Sequence, residues 1–169
     1  MAIIPLYDKN PTKSTPIISW IIIIVCSTIF VWQTGLNPYE SQMLILRFGM
    51  VPSVIFGIAD LSPEISVIPS ILSSVTCIFL HGSWLHLIGN MGYLYIFGDN
   101  IEDYLGKKKY LIFFILCGCI ASFSQAMINT SSNIPMIGAS GSISGVLGAY
   151  FILFPRTKIK VLLLFFPIN

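Results

Sequence analysis

Ile17 to Thr34 runs for 18 residues without a formal charge. At ~1.5 Å per helical residue, a run of that length is read as crossing a hydrocarbon core of ~30 Å. Lys9 and Lys13 precede it as they would in a signal peptide, but no small-x-small cleavage site follows, so it is expected as a retained helix. Composition agrees with a chain of this kind. It is 55% hydrophobic and 9% charged with mean hydropathy +0.85, where soluble domains are about a quarter charged. This is a membrane protein. Its net charge of +2 is too small to suggest a nucleic-acid partner.

Further segments follow the first. Residues 1–16 are polar with Pro5, Pro11 and Pro16, and are expected as an irregular cytoplasmic arm. Pro38, Pro52, Pro63 and Pro69 break the stretch from Gly35 to His81, which is expected as an extended loop with short interfacial helices. Crossings are expected over 84–101, 110–128 and 140–154, with 158–169 the start of another. The fold class is therefore an all-α, polytopic helical bundle with four membrane helices and part of a fifth. Cys26, Cys77, Cys117 and Cys119 read as small apolar residues, and Cys117-x-Cys119 has no partner pair to complete a zinc site.

Charge placement sets an orientation. Eight of the nine lysines and arginines (Lys9, Lys13, Lys107, Lys108, Lys109, Arg156, Lys158, Lys160) fall on one side of these crossings and Arg47 alone on the other. The positive-inside rule then puts the N-terminus in the cytoplasm. Helices two and four run inward from the outer face, so His86, Asn90 and Ser140 all lie near that face. The fourth helix has about 15 residues and covers only ~22 Å, so Ser140 is expected below the outer boundary, where irregular backbone needs protein or water around it.

Polar groups at membrane depth are functional candidates. Ser140 can attack a peptide carbonyl, while Asn90, a neutral His86 and backbone N–H groups at a helix start can donate to the developing oxyanion. His86 and Asn90 are about 40° apart around a helix. If the helix extends as far as His81, that residue falls about 180° from Asn90 and does not obviously join the pair. Gly141, Gly145 and Gly148 share one face and admit a close neighbour. Each feature also has a structural explanation, as helix packing or an interhelical hydrogen bond. Asp99, Glu102 and Asp103 read as scaffold, and Asn129-Thr130-Ser131 fits a glycosylation acceptor that matters only in a secretory pathway.

Taken in order, His81-Gly82-Ser83-Trp84-Leu85-His86-Leu87-Ile88-Gly89-Asn90-Met91, Phe97-Gly98-Asp99-Asn100-Ile101-Glu102-Asp103, Gly106, and Gly138-Ala139-Ser140-Gly141-Ser142-Ile143-Ser144-Gly145-Val146-Leu147-Gly148-Ala149-Tyr150 resemble the rhomboid family of intramembrane serine proteases. Ile4-Pro5-Leu6, Asn10-Pro11 and Thr15-Pro16 look like its bacterial members, which implies a bacterial inner membrane. The resemblance implies a six-helix core, a serine–histidine dyad in a water-filled cavity, and single-pass membrane proteins as substrates, with no metal or organic cofactor. By that resemblance Ser140 is the nucleophile, His86 and Asn90 stabilise the oxyanion, His81, Gly138 and Gly141 line the cavity, and Glu102 is a scaffold position. The domain would occupy 17–169.

Two departures shape the expectation. The family's base histidine lies in a sixth helix, and this chain holds only His81 and His86. Loss of a base removes several orders of magnitude of rate, so these 169 residues alone are expected not to cleave efficiently. The first loop also lacks a Trp-Arg pair that some members carry. The alternative is a non-catalytic rhomboid-like binder of transmembrane helices.

Overall fold

In the computed structural model, helix α1 spans Ile17–Thr34, the charge-free run itself. The structure describes residues 2–164, with side chains from residue 5 to residue 162. Pro16 precedes α1 and offers it no side-chain cap. The cap comes instead from α5, which spans Trp84–Leu105. The Glu102 carboxylate accepts from the backbone N–H groups of Ile18 (2.9 Å) and Ser19 (2.8 Å) and from Ser19 Oγ (2.9 Å). Asp103 accepts from the Lys13 and Ser14 N–H groups at 3.0 and 2.9 Å. Two acids thus satisfy donors that no intrahelical partner can reach, at the positive end of the helix dipole.

Between α1 and α5 lie α2 (Pro38–Phe48), α3 (Pro52–Ile55), a 3₁₀ turn at Ser70–Leu72, α4 (Ser73–Thr76) and a second 3₁₀ turn at Cys77–Phe79. Asn37 and Glu40 close a capping box on α2, with Pro38 in its first turn. Ser83 then caps α5, its Oγ accepting from His86 N–H at 3.2 Å. Helix α6 spans Lys107–Ile128 and α7 spans Ser140–Leu153.

α5 continues past the expected Ile101 to Leu105, and α6 begins at Lys107 rather than Tyr110. Only Gly106 separates them. Its φ of 75° lies in the left-handed region that glycine enters without a Cβ penalty, so the chain reverses at one residue. The three lysines therefore form the first turn of α6, not a loop.

By length and composition, α1 and α6 can each cross a membrane, and α5 makes a third span only together with Ser70–Phe79, from which it is bent by 82°. The polarity of His86, Asn90, Asp99, Asn100, Glu102 and Asp103 keeps α5 from qualifying alone. α7 is apolar but shorter, with 14 residues.

The core joins all four long helices. Ile22, Cys26 and Phe30 of α1, Leu94, Phe97 and Ile101 of α5, Tyr110 and Phe114 of α6, and Ile143, Val146 and Tyr150 of α7 form one buried cluster. α7 lies against both α5 and α6. The glycine stripe on α7 is not one contact surface. A Cβ at Gly141 would stand 2.5 Å from Ala121 Cβ and one at Gly145 would collide with Cys117, whereas Gly148 faces open space.

Two segments depart from the sequence reading. Strand β1, Ala2–Asp8, replaces part of the expected irregular arm, and strand β2, Ile159–Leu164, stands where the start of a fifth helix was expected. The two pair antiparallel. Pro155 stops α7 from continuing, and Ile159 and Val161 are β-branched residues that suit a paired strand. The remainder of that expected segment, 165–169, lies outside the described residues.

Candidate active site

α5 has its first turn at Trp84, and the chain before it is extended, with Ser83 at φ −161° and ψ 160°. That extension carries His81 back over the helix. His81 is fully buried, and the Asn90 amide nitrogen donates to His81 Nε2 at 3.1 Å. The proton of a neutral His81 then sits on Nδ1, which has no hydrogen-bond partner among the described residues. His86 lies beside it, with ring centroids 5.1 Å apart in an edge-on arrangement. The helical-wheel expectation that separated His81 from Asn90 fails here because His81 is not on the helix.

Gly138 meets this cluster from the other side. Its φ is 120°, and a Cβ there would lie 2.5 Å from His86 Cε1, 2.6 Å from His86 Nε2 and 3.7 Å from Asn90 Nδ2. Only a residue without a side chain fits against that imidazole. Three ties hold the segment that carries Gly138. Gly138 N–H donates to the Cys77 carbonyl at 2.8 Å, Met50 and Met136 exchange backbone bonds of 3.0 and 2.8 Å, and Ser53 Oγ donates to Asn133 Oδ1 at 2.6 Å.

Ser140 is the first residue of α7, and Ala139 before it makes no side-chain cap bond. The first-turn N–H groups of α7 therefore have no side chain competing for them. Ser140 is exposed and lines a cavity of about 540 Å³ together with Cys77, Ser122, Gln125, Gly138, Gly141 and Ser144. That volume lies within the range of ligand-holding clefts. Gly138 links the parts: the space where its Cβ would be is taken by His86 with Asn90 beyond, and it lines the cavity two positions before Ser140.

Reading the sequence missed the anchors of this segment. Nothing in the residue types marks the Cys77 carbonyl, Met50 or Ser53 as fixing Gly138, because those bonds join groups far apart in the chain. Glu102 has no contact with the cavity and caps α1 instead.

His86 and Asn90 of α5 face Gly138, which stands two positions before a serine on an open cavity, in a helical bundle with spans long and apolar enough to cross a membrane; that defines the class as a polytopic integral membrane protein. A Rhomboid domain profile matches residues 69–169, and the chain belongs to the rhomboid family. Presenilin-associated rhomboid-like protein A, mitochondrial, of Danio rerio is 34% identical over 99 residues, covering 57% of this chain and 25% of that protein. RHOMBOID-like protein 5 of Arabidopsis thaliana is 32% identical over 75 residues, 44% of this chain and 24% of that protein. Rhomboid protein 1, mitochondrial, of Saccharomyces cerevisiae is 31% identical over 105 residues, 60% of this chain and 30% of that protein. The chain thus spans roughly a quarter of the length of these relatives.

Proposed function

We propose that the site belongs to an intramembrane serine endopeptidase that cuts transmembrane segments of membrane proteins. The observation that carries this reading is the space at Gly138, where a Cβ would collide with the His86 ring and stand 3.7 Å from Asn90 Nδ2, two residues before Ser140 and on the wall of its cavity. Ser140 Oγ attacks the scissile carbonyl. His86 N–H, Asn90 Nδ2–H and the free N–H groups of the first α7 turn receive the oxyanion. His81 holds the Asn90 amide in place through the bond at 3.1 Å. The cavity admits an unwound stretch of substrate backbone, and the bilayer supplies the substrate laterally. No cofactor enters this scheme.

The base has no assigned residue. Both histidines of the chain stand on the donor side, His81 bonded to Asn90 and His86 against Gly138. That arrangement favours a second reading, a non-catalytic binder of transmembrane helices. For location, the charge bias places the N-terminus in the cytoplasm of a multi-pass protein. The bacterial inner-membrane setting rests on the proline-bearing opening alone, and two of the relatives above are named as mitochondrial.

A serine-reactive fluorophosphonate applied to the 169-residue chain in membranes separates the readings. Labelling that disappears in Ser140→Ala shows an activated nucleophile. Absence of labelling in an inserted, folded chain leaves the helix binder. Robust cleavage of a transmembrane substrate by this chain, lost in Ser140→Ala, would overturn the expectation that it cannot cut efficiently by itself.

A further inference from the structure

We propose that Cys77, which lines the cavity, and Cys119 of α6 form an oxidisable pair that closes to an intramolecular disulfide. Both thiols donate to the same oxygen, the Ser74 carbonyl, with Sγ at 3.4 Å for Cys77 and 3.5 Å for Cys119. Ser74 Oγ in turn donates to Cys119 Sγ at 3.6 Å. The side chains beside them pack tightly: a Cβ at Gly118, next to Cys119, would stand 2.5 Å from the side-chain Cδ1 of Ile78, which follows Cys77. Two sulfurs on one acceptor at these distances lie no more than about 7 Å apart. Closing the bond requires both side chains to rotate off that carbonyl and Cys77 also to leave Ser122 Oγ, 3.7 Å away.

The other thiols are directed elsewhere. Cys117 sits two positions from Cys119 on α6 and so points to a different side. It packs where a Cβ on Gly145 of α7 would collide with it. Cys26 is fully buried in the α1 core. The pair is therefore specific, although the Cys117-x-Cys119 spacing draws attention to the wrong partner.

With hydrogen peroxide as oxidant, the step balances. Cys119 is the more exposed of the two. Its sulfur attacks a peroxide oxygen, the O–O bond breaks, and the products are a sulfenic acid and one water. The Cys77 sulfur then displaces the hydroxyl, the S–S bond forms, and the Cys77 proton leaves with that hydroxyl as a second water. Two electrons pass from the thiols to the peroxide. The bond joins α6 to the residue whose carbonyl holds Gly138 N–H, so the wall beside Ser140 becomes covalently tied.

The test treats the folded chain in membranes with hydrogen peroxide, removes the peroxide, unfolds the chain in denaturant containing iodoacetamide to block all remaining thiols, and maps peptides without reduction. The expected result is loss of two of the four alkylatable thiols, with Cys77 and Cys119 joined in one peptide pair within a single chain. Cys117→Ser should keep that pair. The same treatment of the denatured chain should give mixed pairings, which ties the selectivity to the fold. A folded chain in which Cys77 and Cys119 both remain alkylatable overturns the proposal. So does pairing that is mainly between chains or that includes Cys117 equally.

Discussion

Gly138 is the residue at which backbone and chemistry are hardest to separate. Its φ of 120° is strained for any side chain, and the space a methyl would need is occupied by the His86 ring. Gly138→Ala must either shift the imidazole or pull the segment off its bond to the Cys77 carbonyl. We expect the substitution to cost ~1–3 kcal/mol and to reduce Ser140-dependent fluorophosphonate labelling. Gly82→Ala is the control, since its Cβ would meet nothing nearer than Ile137 Cδ1 at 3.6 Å. Equal labelling of both variants would show that the Gly138 contact does not shape the site. His81 makes a second prediction at this scale. His81→Phe removes the acceptor that orients Asn90 and should lower labelling, whereas His81→Gln, which can still accept, should retain more of it. Ser140, His86 and Asn90 stand out as candidates in the sequence because their residue types and helical spacing suggest chemistry on their own. The place of His81 was not legible there, because an extended stretch before Trp84 set it, and a helical wheel has no term for that.

At the level of helices, the end of α1 depends on α5. Pro16 cannot cap, so Glu102 supplies two backbone acceptor contacts and a third to Ser19 Oγ from across the bundle. Glu102→Ala should destabilise the chain by about 2 kcal/mol, since it orphans buried donors that were bonded to a charged acceptor. Thermal unfolding in detergent measures this, and Glu102→Gln, which keeps part of the acceptor capacity, should fall in between. A result within ~0.5 kcal/mol of wild type for Glu102→Ala would mean water replaces the cap. The glycines of α7 give an opposed pair. Gly145→Val pushes into Cys117 and should cost ~1–3 kcal/mol by overpacking. Gly148→Ala meets open space and should stabilise by ~0.5–1 kcal/mol through helix propensity. The sequence showed these three glycines as one stripe, since spacing reports a shared direction. It could not report that the α6 side chains stop short of Gly148.

Across the whole molecule, polarity divides the bundle into two ends. One end holds Asp8, Asn100, Glu102 and Asp103, with Tyr150 Oη donating to Asp8 and Asn100 Nδ2 donating to Asp8 Oδ2 at 3.2 Å. The other holds His81, His86, Gly138 and Ser140. The β1–β2 ribbon at the first end escaped the sequence reading because its pairing joins segments from the two ends of the chain, and each segment taken alone read as arm or helix. Helix α6 connects the two ends: Lys108 is exposed in its first turn and Ser131 is exposed just beyond its last. Its 22 residues span ~33 Å, enough to separate the two compartments. The eight-to-one bias of lysine and arginine is the basis for the proposal that the first end faces inward. In a background with all four cysteines changed to serine, Ser131→Cys should react with a membrane-impermeant maleimide added outside sealed, right-side-out vesicles. Lys108→Cys should react only after the vesicles are opened. The reverse pattern would place the Ser140 cavity on the cytoplasmic side, and any substrate would then have to be presented from within the cell. Labelling of both positions in sealed vesicles would mean that α6 does not separate the compartments, and the expectation that Ser140 lies at membrane depth would lose its basis.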